Sequence, residues 1–383
     1  MLHDVAIVGA GPVGATLALA LADGDLDVVV LDARAAGETL RGDRSLALSH
    51  GSRLVLERLG VWSELAATTD AVTPIATIDI SQACGFGRAT LDAAEQGLPA
   101  LGYVVSYRAL QAALDRALAR TRTTVRHSAT VTAVGGTPAY AAVDVDGGET
   151  VLARLAAIAD GTGAAIAGKI RERHDYDQVA LLARLWRSAP HRGIAYERFT
   201  PEGPVALLPE GDHYGLVWTA TPARAQELLA LDDAEFLAAL ARHFGAGAGR
   251  FDRVADRRTF PLALEYLHDP TGTRSVALGN AAQTLHPVAG QGFNVGLRDA
   301  HELAQAIHDT PVDAIGDRPM LARYAGARRP DRMAGVAFTH GLVGLFGNDL
   351  PFVRWPRGLA LTLLDAVPPV KRAFTRAMLF GLR

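Results

Sequence analysis

The sequence predicts an α/β fold in which a doubly wound nucleotide-binding unit is interrupted twice by strand-rich segments. Three observations predict it. The chain opens on "DVAIVGAGPVGATLALALADGDLDVVVLDAR", which reads as a buried strand (Val5 to Val8), a glycine turn, a helix to Ala22 and a second buried strand (Val28 to Leu31) ending at Asp32. Strand patterns then dominate around residues 73–100 and again from Tyr176 to about Tyr266. Near the end the first style returns, with the apolar run Ser275 to Leu278, the turn "GNAAQTLHPVAGQGFN" and helical periodicity from Val295 to His308.

At 383 residues, with 49% hydrophobic and 21% charged residues, the chain is long enough for two packed domains around a large core. A formal charge of -3 and the lack of a basic tract with interleaved aromatics argue against nucleic acid as a partner. The single cysteine, Cys84, excludes internal disulfides, a Cys-x-x-Cys redox pair and a thiolate metal site, and fits a reducing compartment. The apolar "VGATLALALA" has no basic residue before it, so it reads as part of the first turn and helix rather than a secretion signal. No uncharged run reaches the ~18 residues that cross a bilayer.

The first turn places Gly9, Gly11 and Gly14 in the G-x-G-x-x-G spacing, with Pro12 and Val13 opening the helix and Asp32 about 20 residues on. That is the context of a dinucleotide site, with the pyrophosphate on the helix N-terminus and Asp32 on the adenosine ribose. "GDRSLALSHGSRLVLERLGVW" reads as a loop carrying Arg44, then an amphipathic helix. "TPIATIDI" and "GFGRATLD" are strands, and Ser106 to Arg120 is a helix. "ATVTAVGG" and "AAVDVD" form a hairpin, and "ARLAAIADGTGA" is a buried strand ending at Asp160-Gly161. "GAGAGR" follows a helix and precedes none, so it is a loop and not a second dinucleotide turn.

The turn Gly9 to Gly14 with Asp32, the pair Asp160-Gly161, and Gly279-Asn280 followed by "HPVAGQGFN", together with the longer strings "RFTPEGPVALLPEGDHYGLVW" and "ALGNAAQTLHPVAGQGFNVGLRDA", resemble the class A flavoprotein aromatic hydroxylases, and more specifically the ubiquinone-biosynthesis hydroxylases. The resemblance covers nearly the whole chain. It implies a Rossmann-type FAD-binding domain with an inserted β-rich substrate domain, of the p-hydroxybenzoate hydroxylase type, and C-terminal helices. The implied division is 1–72, 101–172 and 270–345 for FAD, 73–100 and 173–269 for substrate, and 346–383 as a helical segment. Gly279, Asn280, Pro287, Ala289, Gly290, Gln291, Gly292, Phe293 and Asn294 would wrap the flavin, with Asn280 on the ribityl chain where relatives usually have Asp. Arg44, Asp160 and Gly161 would serve the diphosphate, while Arg34, Arg108, Gln111 and Val131 would border the cofactor.

The same resemblance implies an FAD-dependent monooxygenase that hydroxylates a polyprenylated methoxyphenol, using NADH or NADPH and O2 through a flavin C4a-hydroperoxide. Its setting would be cytoplasmic, with a peripheral contact on the inner face of the membrane and with other ubiquinone-biosynthesis proteins. Two alternatives stay open: a flavin oxidoreductase of the same fold on another aromatic substrate, and a flavin-bound member of a quinone-synthesis complex without turnover. Halogenation would need a lysine near the flavin, and Lys169 and Lys371 lie in no motif. His286 could carry a proton at the flavin turn, although loop-holding is the commoner role for such a histidine. His301 and His308 lack metal-ligand spacing, so no metal is expected. Tyr196, Glu197, Phe199 and Trp218 lie on strands of the substrate segment, where sheet core explains the apolar members equally well. The substrate pocket should be long, apolar and free of an arginine clamp. From Val370 on, Val370, Ala373, Phe374, Ala377 and Met378 share one helical face and Lys371, Arg372, Thr375 and Arg376 largely the other, as on a membrane-surface helix or one docked on its own protein.

Overall fold

The computed structural model describes residues 1–38, 44–83, 85–163, 169–285, 290–346 and 351–382. Cys84, His286, Pro287 and Ala289 lie outside the described residues. The strands are β1 (Leu2–Val8), β2 (Val28–Leu31), β3 (Ser45–Ser49), β4 (Val72–Ile75), β5 (Thr77–Gln82), β6 (Arg88–Asp92), β7 (Gly102–Ser106), β8 (Thr124–Arg126), β9 (Val131–Gly136), β10 (Ala141–Val145) and β11 (Glu149–Ile158). They continue with β12 (Arg171–Trp186), β13 (Ile194–Thr200), β14 (Gly203–Glu210), β15 (His213–Ala220), β16 (Arg253–Leu267), β17 (Thr271–Gly272), β18 (Ser275–Ala277) and β19 (Gln283–Thr284). The helices are α1 (Pro12–Leu21), α2 (His50–Arg58), α3 (Trp62–Ala67), α4 (Tyr107–Leu118), α5 (Pro222–Ala230), α6 (Asp233–Phe244), α7 (Gln291–His308), α8 (Arg318–Phe346), α9 (Pro351–Ala366) and α10 (Pro368–Phe380).

The first eight-stranded sheet has the order β17-β18-β11-β1-β2-β8, and the β9-β10 hairpin is attached to β11. From β18 through β8 its strands are parallel. A parallel sheet is covered on both faces, so its strands read as unbroken apolar runs, and Val5, Ala6, Ile7 and Val8 are all buried. One face packs on α1, α4 and α7 through Leu17, Leu21, Leu114 and Leu303, and the other on the hairpin through Val134 and Val143. Burying each such side chain contributes about 1.5–3 kcal/mol. The helices α1 and α4 begin where the sequence places them, and Ser106 caps α4 by accepting from Ala109 N.

The second eight-stranded sheet has the order β19-β16-β12-β15-β14-β13-β5-β6 and is antiparallel except where β13 meets β5. A small sheet, β3-β7-β4, lies between the two. "TPIATIDI" therefore divides at Ala76: its first part pairs with β7 and its second with β13. Alternation along β13 also separates a set that the sequence grouped. Tyr196 packs in the core beneath α5 and α6 with Trp218 and Phe236, whereas Phe199 faces α8 and α9 with Leu342 and Leu361.

The C-terminal helices correct another expectation. Pro368 does start a new helix, but the face of α10 turned to the protein is Lys371, Thr375 and Leu379, while Val370 is 53% exposed. Lys371 Nζ lies 2.9 Å from Glu95 and 3.2 Å from Asp365, and Leu379 packs on Leu91 and Leu101. The two carboxylates turn the lysine inward, so of the apolar stripe read from Val370, Phe374 packs on this cluster while Val370 and Ala373 stay exposed. The helix is docked on its own protein, and Leu382 N donates to Asp331 Oδ1 at 3.1 Å.

Candidate functional site

The carboxyl ends of β1, β2, β11 and β18 open into a cavity of about 540 Å3, which lies where parallel strands on either side of the switch point diverge. Gly9, Gly11, Pro12, Val13, Asp32, Arg34, Arg44, Val131, Asp160, Gly161, Gly279, Asn280, Gly292 and Phe293 all line it. Each turn glycine has its own reason. A Cβ on Gly14 would stand 2.0 Å from Gly9 O, so Gly14 lets α1 pack against the strand end. A Cβ on Gly11 would meet nothing within 4 Å and would project into the cavity.

Asp32 is buried and its carboxylate is fixed before any ligand arrives. Oδ2 accepts from Ala10 N and Oδ1 from Arg34 N, both at 2.8 Å, and the Arg34 guanidinium donates to Oδ2 at 2.9 Å. Burial pushes this carboxyl up, but the Arg34 side chain, the backbone amides and the Arg34 charge outweigh it, so it is held below the usual range. Arg34 Nη2 also donates to Ala10 O, which closes the adenosine end of the cradle. Arg44 stands over the Tyr107 ring at 4.4 Å, and its carbonyl accepts from Tyr107 N. Asp160 forms a tight Asx turn, accepting from Gly163 N at 2.8 Å and from the Thr162 hydroxyl at 2.6 Å, with Gly161 left-handed at φ 79.

Several expected cofactor contacts lie elsewhere. Asn294 is buried with its amide fully used: Oδ1 accepts from Ser49 N and the Ser52 hydroxyl, and Nδ2 donates to Ala47 O and Gly290 O. Its side chain staples β3 and α2 to the start of α7. Gly290 caps α7 at φ 60, with Ala47 Cβ 2.9 Å from where its own Cβ would be. Gln111 donates to Ala10 O at 2.8 Å and supports the first turn from behind. Gly14, Gln111, Gly290, Gln291 and Asn294 are not among the lining residues, and neither is Arg108, which is exposed on the first turn of α4. The sequence reading missed Tyr107, Ala129, Thr130, Thr132, Thr162 and Gly296, which do line the cavity. Gly292 and Gly296, four apart on α7, were a legible signal for a close approach; Tyr107 at the start of α4, Thr132 on β9 and the connecting residues Ala129, Thr130 and Thr162 depend on how these segments meet.

A model of the FAD binding domain matches residues 3–339. The chain is 34% identical to ubiquinone hydroxylase UbiL of Rhodospirillum rubrum, over 97% of this chain and 88% of that one. It is 31% identical to 3-demethoxyubiquinol 3-hydroxylase of Escherichia coli, over 96% of each. The chain belongs to this family of FAD-dependent hydroxylases. Among solved structures, p-nitrophenol 4-monooxygenase PnpA of Pseudomonas putida shares the fold at a TM-score of 0.76 and 17% identity, covering 100% of this chain and 99% of that one. PqsL of Pseudomonas aeruginosa, in complex with 2-aminobenzoylacetate, does so at 0.74 and 21%, covering 91% and 97%. The fold is thus that of the class A flavin hydroxylases, and the enzyme is an FAD-dependent aromatic hydroxylase.

The cradle suits FAD on its own chemistry. The N-termini of α1 and α7 bring partial positive charge, Arg34 and Arg44 place guanidinium groups in the lining, and the open space at Gly11 admits a diphosphate against the backbone.

Proposed function

We propose that the chain hydroxylates a polyprenylated phenol on the route to ubiquinone, with NAD(P)H as reductant and O2 as oxygen source. The observation that carries this reading is the placement of the dinucleotide cradle beside a second sheet whose inner face is apolar and only partly filled. In that sheet Leu182, Ala206, Leu208 and Val217 are half-buried, and Arg258 enters their row only at its β16 end, paired with Leu182. Bound FAD would supply the redox chemistry and O2 activation that amino-acid side chains lack. The backbone amides of Gly11 and Val13 would hold the diphosphate with Arg44, Asp32 the adenosine ribose, and Asn280 the ribityl hydroxyls. Gly279 and Gly296 let the flanking backbones close on Val13, 3.0 Å from where either Cβ would lie. The start of α7, at Gly292 and Phe293, would place a positive dipole end at the ring system and favour negative charge there.

No helix among the described residues is long and apolar enough to cross a membrane. The outward side of α9 nevertheless exposes Trp355, Leu359 and Leu363 at helical spacing, with Phe86 5.1 Å from Trp355. We assign this stripe to peripheral contact with a bilayer, in which a polyprenyl tail dissolves, with the exposed Arg372 and Arg376 of α10 facing anionic headgroups. Sedimentation of Leu359→Glu/Leu363→Glu with anionic liposomes should fall well below wild type, and unchanged sedimentation would remove this assignment. The activity itself is tested by adding a prenylated methoxyphenol to FAD-loaded protein. Stimulated NAD(P)H oxidation with a ring-hydroxylated product supports the reading; oxidation without hydroxylated product, or no stimulation, contradicts it.

A further inference from the structure

The register of the second sheet brings one carboxyl into an apolar setting. Glu197 on β13 is paired with Ile80 on β5 and Ala206 on β14. Ala206 is paired with Val217, Val217 with Leu182, and Leu182 with Arg258. Partners in register share a face, so Ile80, Glu197, Ala206, Val217, Leu182 and Arg258 form one row across the sheet. Glu197 is the only acid in that row.

The row lies on the face turned to the cofactor side of the molecule. Ala195, one step along β13, packs with Ile75, Val104 and Leu208 against the small sheet, whose β3 is stapled to α7 by Asn294. Phe199, one step the other way, packs beneath α8 and α9. Farther along the same face of β16, Leu264 packs with Leu285 and Val295, on either side of the turn that leads into α7. Layers thus flank the row on three sides, yet its members from Glu197 to Leu182 stay half-buried, so the described residues leave the row partly open. Beyond them Phe260, at the β16 end, is 49% exposed and makes the mouth.

Among the described residues Glu197 has no hydrogen-bond or ion-pair partner. Arg258 is at the far end of the row, beside Phe260. On the covering elements, His340 of α8 is hydrogen-bonded to Tyr176, and Asp365 of α9 is held by Thr90 N and Lys371. Arg298, Asp299, Arg328 and Asp331 of α7 and α8 are paired with one another. A carboxyl partly withdrawn from water without a partner is costly to keep, so a site that holds one gains when a ligand supplies a donor. We propose that Glu197 is the substrate-binding residue that accepts a hydrogen bond from the ring hydroxyl of the phenol, with the ring and its tail lying along the apolar row. This rests on the phenol hydroxylation proposed above.

Burial alone pushes the Glu197 carboxyl up to about 7. The charged acceptor, whose hydrogen bond is the stronger one, therefore forms as pH rises through neutrality. The test compares a geranyl-substituted methoxyphenol with its O-methyl ether, reading Kd from the flavin absorbance change of FAD-loaded protein between pH 5.5 and 8.5. Wild type should prefer the phenol by on the order of tenfold at the upper end and by much less at the lower. Glu197→Gln should bind the phenol with a flat pH profile, and Glu197→Leu should bind both probes about equally, each with full FAD. A wild-type preference that does not change with pH, or that survives in Glu197→Leu, overturns the assignment while leaving the hydroxylase reading intact. Failure of wild type to bind either probe overturns both.

Discussion

The two eight-stranded sheets differ in where they leave room for chemistry. The parallel sheet is filled on both faces, so its site lies beyond its strand ends and is built mainly from backbone: glycine turns and helix N-termini, with Asp32 and Asp160 already fixed by local hydrogen bonds. The antiparallel sheet has one face closed by α5 and α6 around Trp218, Tyr214 and Phe236, and the other only partly covered, with Glu197 in its middle. A site at strand ends is specified by turn residues, whereas a site on a sheet face is specified by alternation and register. Changes in the first should therefore act on cofactor and fold, and changes in the second on substrate.

The largest effect is expected at Gly14. Its valine variant drives carbon into Gly9 O and should lose more than about 4 kcal/mol, leaving little folded protein, whereas Gly11→Val should fold and carry no flavin. Thermal unfolding and flavin absorbance of the two proteins check this, and a flavin-loaded Gly11→Val would break the distinction. Next comes Trp218→Ala on the closed face, which should cost about 3–5 kcal/mol in denaturant unfolding without changing FAD stoichiometry. If FAD were lost from the folded variant, the two sheets would not be separable.

Glu197 should give a smaller, pH-dependent effect. Its carboxyl stays protonated in the fold up to about 7, while the unfolded chain ionises near the ordinary 4.5. Protons are then held more tightly by the native state, so stability is fullest below the lower value, falls as pH rises through this window, and levels off above it. Glu197→Gln should remove that fall and be more stable than wild type by about 1–2 kcal/mol at pH 8, less than full burial would give because water still reaches the side chain. Equal stability of the two proteins at pH 8 would contradict this. Smallest of all is Asn280→Asp, which keeps an oxygen acceptor at an exposed position on the cavity wall and should change FAD Kd by less than about threefold in an equilibrium titration.

The same contrast explains how much the sequence discloses. Gly9, Gly11, Asp32 and Asp160 are legible because turns of this kind need particular residues at fixed spacing, and the apolar runs of β1 and β2 announce a sheet buried on both faces. Asn294 is legible as a residue of the flavin turn, but its four hydrogen bonds to β3, α2 and Gly290 join segments 245 positions apart. Tyr196, Glu197, Phe199 and Trp218 look like one group in the sequence. Only the pairing of β13 with β5 and β14 shows that Glu197 is on the open face and Tyr196 on the closed one. Lys371 reads as solvated until Glu95 and Asp365 are seen beneath it.

The most direct test of the separation between cofactor edge and substrate face is a substitution that fills the face without touching the cradle. In FAD-loaded Ala206→Phe, flavin occupancy and phenol-stimulated NAD(P)H oxidation are measured together with hydroxylated product. The account predicts wild-type flavin occupancy with stimulation and product reduced at least about tenfold, since the added ring occupies the space beside Glu197. Wild-type stimulation and product in a folded, flavin-loaded variant would contradict it, as would loss of flavin from the folded protein.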